Sequence, residues 1–279
     1  MYKRQIGARP AGSEAEALAA DYIAAQFTLW GYDVQRQMIA AGADENTITQ
    51  NVIATKAATV PDAQTQAIII GAHMDSVTDG SGADDNASGV ATILVAAEAL
   101  ADLDTQHDIV FVAFGSEEHQ LRGSRAFVET LTLAELDAIM VMFNVDTVGA
   151  GDFANVYAGA LDDDPLIPGP TWARDLALDV AAELGHDLRT TPPESWDGFT
   201  GPWSDHYPFV EQGIAIAYFE RWNWDAGDDP RWGVETAGKG DILHTERDQI
   251  DAIDAALIEP IAETLAETVA RLATGEFVP

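Results

Sequence analysis

His73 and Asp75 close a short apolar run, AIIIGAHMD. Residues of like parity on an extended backbone point the same way, so the Asp75 carboxylate can accept a hydrogen bond from the second ring nitrogen of His73. A carboxylate in that place fixes the tautomer of a metal-bound imidazole. Gly80 and Gly82 then turn the chain tightly, and Asp84, Asp85 and Asn86 arrive just before a helical stretch near Ala87. A histidine with carboxylates on neighbouring loops suits a divalent ion such as zinc.

The same arrangement recurs downstream. The apolar run Ile109–Phe114 ends in Gly115-Ser116-Glu117-Glu118, and Ile139–Val145 ends in Asp146. Adjacent carboxylates at the end of a buried strand resist joint ionisation, and a bound cation would offset that cost. His244 follows in ILHTERDQID. Taken singly, a His-x-Asp is most often structural and a Glu-Glu pair is most often surface. DGSGADDNASG would also serve as a solvated or calcium-binding loop, although its spacing is not that of an EF-hand. Taken together, the order His73, Asp84 or Asp85, Glu117 or Glu118, Asp146 and His244, nearly all at strand ends, reads as a metal site. In open α/β sheets the carboxyl ends of the strands are where ligands bind.

The elements that must position these groups follow from periodicity. Ser13–Leu29 reads as an amphipathic helix with a Ser13/Glu16 capping box, an apolar face of Leu18, Tyr22, Ile23 and Phe27, and a stop at Gly31. Tyr32–Ile39 alternates as an edge strand does, and Asn51–Lys56 reads as another strand. Ile68–Ile70 is β-branched, as expected of a strand covered on both faces. Helices are expected over Ala87–Leu103, Gly123–Leu131 and Thr171–Leu184, with strands at Asn155–Ala160 and Ile214–Phe219. Asn223–Gly240 reads as a long aromatic loop near the site, and the closing helix as interrupted at Pro260. The fold class is α/β, a mixed twisted sheet with helices on both faces. With no repeat, low-complexity tract or Pro/Ser linker, one domain over residues 1–279 is expected.

Composition narrows the partners. Asp and Glu number 47 against 14 Lys and Arg, a formal charge of −33. Only Lys3, Lys56 and Lys239 are lysines. Such a surface repels nucleic acid and anionic membranes. It serves solubility, high-salt adaptation or attraction of cations; lysine depletion favours the second. Zero cysteines removes disulfides and thiolate metal sites. The chain has neither a membrane-length apolar stretch nor a signal peptide, and would equally fit a mature form. There is no Walker glycine loop and no G-x-S-x-G. Asn86-Ala87-Ser88 is formally a glycosylation sequon, discounted because it falls at the expected site.

The motifs GAHMDS, GADDNASG, GSEEHQLRGS, NVDTVG, WSDHYPF and LHTERD resemble those of the zinc-dependent aminopeptidases that include bacterial secreted leucyl aminopeptidases. Glutamate carboxypeptidases and glutaminyl cyclases share that family. The resemblance runs from GARPAGSEAEA to the final helix. It implies a sheet of about eight strands, two zinc ions per chain, a secreted location (a cytoplasmic one in a high-salt organism being the alternative) and peptide substrates with a free N-terminus; a monomer is favoured. It also implies roles: one zinc on His73 and Asp146, the other on Glu118 and His244, Asp85 bridging through a cis peptide bond to Asn86, Glu117 as general base, and Asp75 as partner of His73.

A water shared by two cations would lose its proton near neutral pH, with Glu117 passing it to the leaving amine. Trp203, Tyr218 and Phe219 are expected to line a small apolar pocket for the first side chain. Two departures stand out. Leu243 occupies a place where relatives often carry tyrosine, which leaves the oxyanion donor open, with Tyr218 and Tyr207 as candidates. Trp203 replaces a frequent arginine, which argues against a dipeptidase. Ser204 or Asp205 is expected to cap the helix that follows. Competing readings are a single-zinc glutaminyl cyclase, another exopeptidase on the same fold, or a binding module that has lost the chemistry. The ligand set is complete, which favours the enzyme with two metals.

If the acid excess reflects high-salt adaptation, screening should relieve self-repulsion. The melting temperature is then expected to rise between dilute buffer and molar salt; a flat profile by calorimetry refutes the idea.

Overall fold

The computed structural model describes residues 6–42, 46–61, 64–163, 165–227, 229 and 232–279. In chain order, helix α1 (Glu14–Leu29) leads into strands β1 (Asp33–Ala40), β2 (Ile48–Lys56) and β3 (Ala67–His73). A π-turn (Ala83–Ser88) opens α2 (Gly89–Leu100), followed by β4 (Asp108–Phe114) and a 3-10 turn at Glu117–His119. Then come α3 (Arg122–Thr130), α4 (Leu133–Asp137), β5 (Ile139–Val145), β6 (Ala154–Leu161) and β7 (Ile167–Pro168). The remainder is α5 (Trp172–Leu184), β8 (Leu188–Arg189), β9 (Phe199–Thr200), α6 (Tyr207–Val210), β10 (Ile216–Arg221), a 3-10 turn at Ile250–Ala252, and α7 (Ala255–Ala273).

All ten strands of the described residues join one sheet, in the order β1-β2-β4-β3-β5-β10-β6-β7, with β8 and β9 added to β6. The eight strands of that path match the expected number, and the two extra are dipeptide strands. β4, β3, β5 and β10 run parallel, and antiparallel strands flank them on either side. β3 leads through α2 to β4 on one side, whereas β5 lies on its other side, so the chain reverses its winding across β3. That reversal opens a crevice at the carboxyl ends of the strands.

Strand parity divides the core into two layers. Ile68, Ile70, Phe111, Ala113 and Phe143 face the helices α1, α2, α5 and α7. Ile69, Val112, Phe114 and Met142 face the other way, with Phe127 of α3 and Phe209 of α6. β1 pairs only with β2, in keeping with its alternating sequence.

Three local expectations give way. The buried face of α1 is Glu16, Ala19, Ala20, Ile23, Ala24 and Phe27, whereas Leu18 and Tyr22 are 53% and 57% exposed. Alanines let the helix approach the sheet closely, and hydropathy does not single them out. Only half of the capping box forms: Ser13 accepts from the Glu16 N–H, but the Glu16 carboxylate accepts from the Gly12 N–H and the Thr49 hydroxyl. α7 also runs uninterrupted through Pro260. The carbonyl that loses its donor is that of Ala256, in the exposed first turn, where solvent can serve it.

Burial of Glu16 raises its pKa to about 7, against the two hydrogen bonds, which lower it. A carboxyl raised on folding favours the native state most below its unfolded pKa, and that contribution is lost as pH rises through about 7. The stability difference between wild type and Glu16→Gln is therefore expected to move against wild type by about 2 kcal/mol between pH 5 and pH 8. Urea unfolding at the two pH values measures it, and a pH-independent difference contradicts it.

Candidate metal centre

β3 ends by delivering His73, which is 1% exposed, into the crevice. Its Nε2 lies 3.1 Å from Asp85 Oδ1 and 3.3 Å from Asp146 Oδ1. His244 arrives from the far end of the chain, with Nε2 3.0 Å from both Asp85 Oδ2 and Glu118 Oε2. Two trios result, His73–Asp85–Asp146 and Asp85–Glu118–His244, each with its ligand atoms within 4.8 Å of one another. Asp85 belongs to both, offering one oxygen to each. The Asp85–Asn86 peptide is cis.

Each side chain is held by specific contacts. Asp248 accepts from the backbone N–H groups of Asp84 (2.7 Å) and Asp85 (3.2 Å), fixing the π-turn. The Asn86 amide donates to the Val145 carbonyl at the end of β5, and its oxygen accepts from the Gly89 N–H. Asn86 is fully buried, as unfit for a glycan as the sequence reading held. The buried Arg9 guanidinium donates to the carbonyls of Met74, Ser81 and Gly82, clamping the loop between His73 and Asp85. Glu235 accepts from the Ile242 and Leu243 N–H groups, so His244 is presented on a braced loop. Gly115 lets the turn after β4 lie against β2, where a Cβ would fall 2.5 Å from the Gln50 carbonyl.

Asp75 meets the His73 ring through its backbone carbonyl, not through the carboxylate hydrogen bond that the spacing suggested. The His73 Nδ1 lies 3.2 Å from the Asp75 carbonyl and 3.6 Å from its carboxylate. The carboxylate itself accepts from the N–H groups of Glu117 (3.0 Å) and Glu118 (3.3 Å). It ties the end of β3 to the turn after β4. Ser204 does not cap α6, whose first turn carries no side-chain cap. Its hydroxyl donates to Asp146 Oδ2 (2.7 Å) and accepts from the Asn144 amide (2.7 Å). Asp205 is fully buried, and His206 donates to the Gly201 carbonyl while stacking on Tyr218.

Electrostatics bear on what the centre can hold. Burial pushes the half-buried Glu117 well above the usual carboxylate range, aided by Asp205, Asp146 and Asp85 and opposed by His73. Burial would lift Asp85 too, but hydrogen bonds from His244 and His73 outweigh it and the net direction is down. Those bonds and the Glu118 contact raise His244 to about 10. Asp146 Oδ1 is buried, faces His73, and has no hydrogen-bond partner. An orphaned carboxylate oxygen, two imidazoles and a shared aspartate form a donor set that fits zinc.

A cavity of about 460 Å³ opens over these residues, lined by Asp85, Glu117, Glu118, Asp146 and His244. Trp203 and Tyr218 line it as expected; Tyr207 does not. Phe219 is fully buried in the opposite core, because the residue after Tyr218 on a strand points away from the cavity. Glu220 and Trp222 also line it, without having been singled out from the sequence, and Trp224 and Trp232 of the aromatic 223–240 stretch lie near the site as expected. Alternation along β10 would have found Glu220 from Tyr218. Asp228, Pro230 and Arg231 of the 223–240 stretch lie outside the described residues. No helix of the described residues is long and apolar enough to cross a membrane.

A profile of peptidase family M28 matches residues 51–269. Aminopeptidase YwaD of Bacillus subtilis is 30% identical over 215 residues, 76% of this chain but 42% of the relative. Leucine aminopeptidase 2 of Trichophyton rubrum is 37% identical over 170 residues, 61% of this chain and 33% of the relative. The chain thus spans less than half the length of these relatives. A zinc aminopeptidase from Bacillus subtilis has a similar structure, with TM-score 0.76, 19% identity, and coverage of 98% of this chain and 92% of that one. Glutaminyl cyclase of Porphyromonas gingivalis has a similar fold, with TM-score 0.74, 20% identity and coverage of 97% and 96%. Over three quarters of this chain's length matches the family profile, and the chain belongs to peptidase family M28.

Asp248→Ala leaves two buried N–H groups unpaired beneath Asp85. It is expected to cost about 1–3 kcal/mol in urea unfolding and to weaken zinc retention on dialysis. An unchanged unfolding midpoint would show that the π-turn holds itself.

Proposed function

We propose that this chain is an aminopeptidase that removes N-terminal residues from peptides, using two zinc ions and Glu117 as general base. The observation that carries the reading is Asp85 contributing one oxygen to each trio. His73 and Asp146 would hold one ion, Glu118 and His244 the other, and Asp85 both. Bound there, zinc would supply Lewis acidity toward the scissile carbonyl and a lowered pKa for the attacking water.

The remaining chemistry belongs to the chain. Glu117 lines the cavity beside Asp85 and Asp146 and is aligned through its backbone by Asp75, which suits it to act as the base. Its carboxylate takes the proton from water and delivers it to the leaving amine nitrogen. Tyr218 is a phenol of the cavity wall whose single proton goes to Glu220 at 3.3 Å, so it would serve the oxyanion only by turning from that partner. The indoles of Trp203, Trp222 and Trp224 narrow the cavity and suit one residue at the end of a chain more than a loop within one. These aromatic walls support the expectation of substantial apolar contact with the first side chain.

A glutaminyl cyclase reading rests on the equally similar fold of that enzyme. It would require one zinc and transferase chemistry. Zinc content per chain, with leucyl-p-nitroanilide and a glutaminyl peptide as substrates, separates the two. Two zinc ions and release of p-nitroaniline are expected. Glu117→Ala is expected to lower kcat/KM roughly 10²–10⁴-fold while retaining both ions. Hydrolysis at the wild-type rate would remove Glu117 from the mechanism.

A further inference from the structure

Glu220 has no part in the reaction just described. It follows Tyr218 by two residues on β10, so its side chain shares the cavity face, while Arg221 turns to the carbonyls of Gly151 and Asp152. It is 8% exposed. Oε2 accepts from the Tyr157 hydroxyl at 2.9 Å, and that oxygen accepts in turn from Trp224 Nε1 at 2.7 Å. Oε1 accepts from the Tyr218 hydroxyl. Burial, with Asp146 and Glu235 adding repulsion, lifts the carboxyl to about 8, against the two phenols. The fold thus keeps an acid at a place where its charge is costly, with a network of donors directed at it.

A carboxylate has about four acceptor positions, of which the two phenols occupy two. The same cavity is lined by the indoles of Trp203, Trp222, Trp224 and Trp232. Indole faces cover the methylene stem of a long cationic side chain and attract its charge. A carboxylate at the end of such a walled space supplies charge-assisted hydrogen bonds in a desolvated setting. A purely aliphatic side chain would leave that carboxyl unmatched.

We propose that Glu220, among Trp203, Trp222 and Trp224, selects substrates whose first residue carries a cationic side chain, lysine or arginine. The inference rests on the aminopeptidase reading and deepens it, placing an acid in a pocket otherwise expected to be apolar. A cation seated there would favour the ionised form of Glu220 and offset the cost of burying it.

The test compares lysyl-, arginyl-, leucyl- and norleucyl-p-nitroanilide on the zinc-loaded enzyme. Norleucine is lysine without its ammonium group. Molar salt suppresses general attraction of cations to the −33 surface. Wild type is expected to prefer lysine over norleucine in kcat/KM by about tenfold or more, with the difference in KM. Glu220→Gln is expected to lower that ratio by about tenfold to a hundredfold, and Glu220→Asp to restore part of it. Quenching of tryptophan fluorescence by argininamide against norleucinamide reads binding directly, and the Gln variant should weaken only the former.

A wild-type preference for norleucine overturns the proposal. So does an equal loss on all substrates in Glu220→Gln, which would assign the carboxyl to the α-amine or to holding Tyr218. Cleavage of leucyl-p-nitroanilide with no cationic preference sinks this inference and leaves the aminopeptidase reading standing. If no anilide is cleaved, the aminopeptidase reading fails, and the fluorescence titration alone decides whether the pocket prefers a cation.

Discussion

The mutual repulsion of carboxylates gathered at the ends of buried strands is the constraint to which the rest of the structure answers. Asp85, Glu117, Glu118 and Asp146 converge on one crevice, with Asp75 and Asp205 buried behind them. In a medium of low dielectric these charges resist one another, and the two imidazoles are pulled toward their cationic forms as partial compensation. Asp85 sits at the balance point, with one oxygen toward each imidazole. The arrangement has the form of a site built around positive charge that the protein alone supplies only in part.

Holding such a cluster takes more side chains than the cluster contains. Asp248 grips the backbone of the π-turn, Arg9 the loop before it, Asp75 the turn after β4, Ser204 the Asp146 carboxylate, and Glu235 the loop of His244. Most of these contacts join polar side chains to backbone groups many residues away. Rigid strands fix where each ligand begins, and these bonds fix where it ends. Ser116 and His244, neither of them glycine, adopt left-handed backbone at φ 61° and 56°, as residues at functional loops often do.

The cavity pairs two kinds of wall. One is the acid and imidazole cluster; the other is the set of indoles, joined by Glu220, whose carboxylate accepts from the Tyr157 and Tyr218 hydroxyls. β10 contributes to both. Its Tyr218 and Glu220 face the cavity, while Phe219 locks the strand into the opposite core. Strand alternation thus lets one segment anchor the fold and shape the pocket.

Much of this was legible before folding was considered. The buried strands at Ile68, Ile109 and Ile139, the residues closing them, the cis Asp85–Asn86 peptide implied by resemblance, and the position of His244 all have local or motif-level signals. Apolar runs and neighbouring acids are properties of short segments, so a sequence carries them openly. The buried face of α1, the passage of α7 through Pro260 and the destination of the Ser204 hydroxyl have no such local signal. Each depends on which distant backbone or side chain lies opposite once the sheet has assembled. Alanine against leucine at a helix face, or Asp146 against a helix N-terminus as partner for Ser204, is decided by tertiary packing, because only packing sets the distances over which hydrogen bonds and close contacts act.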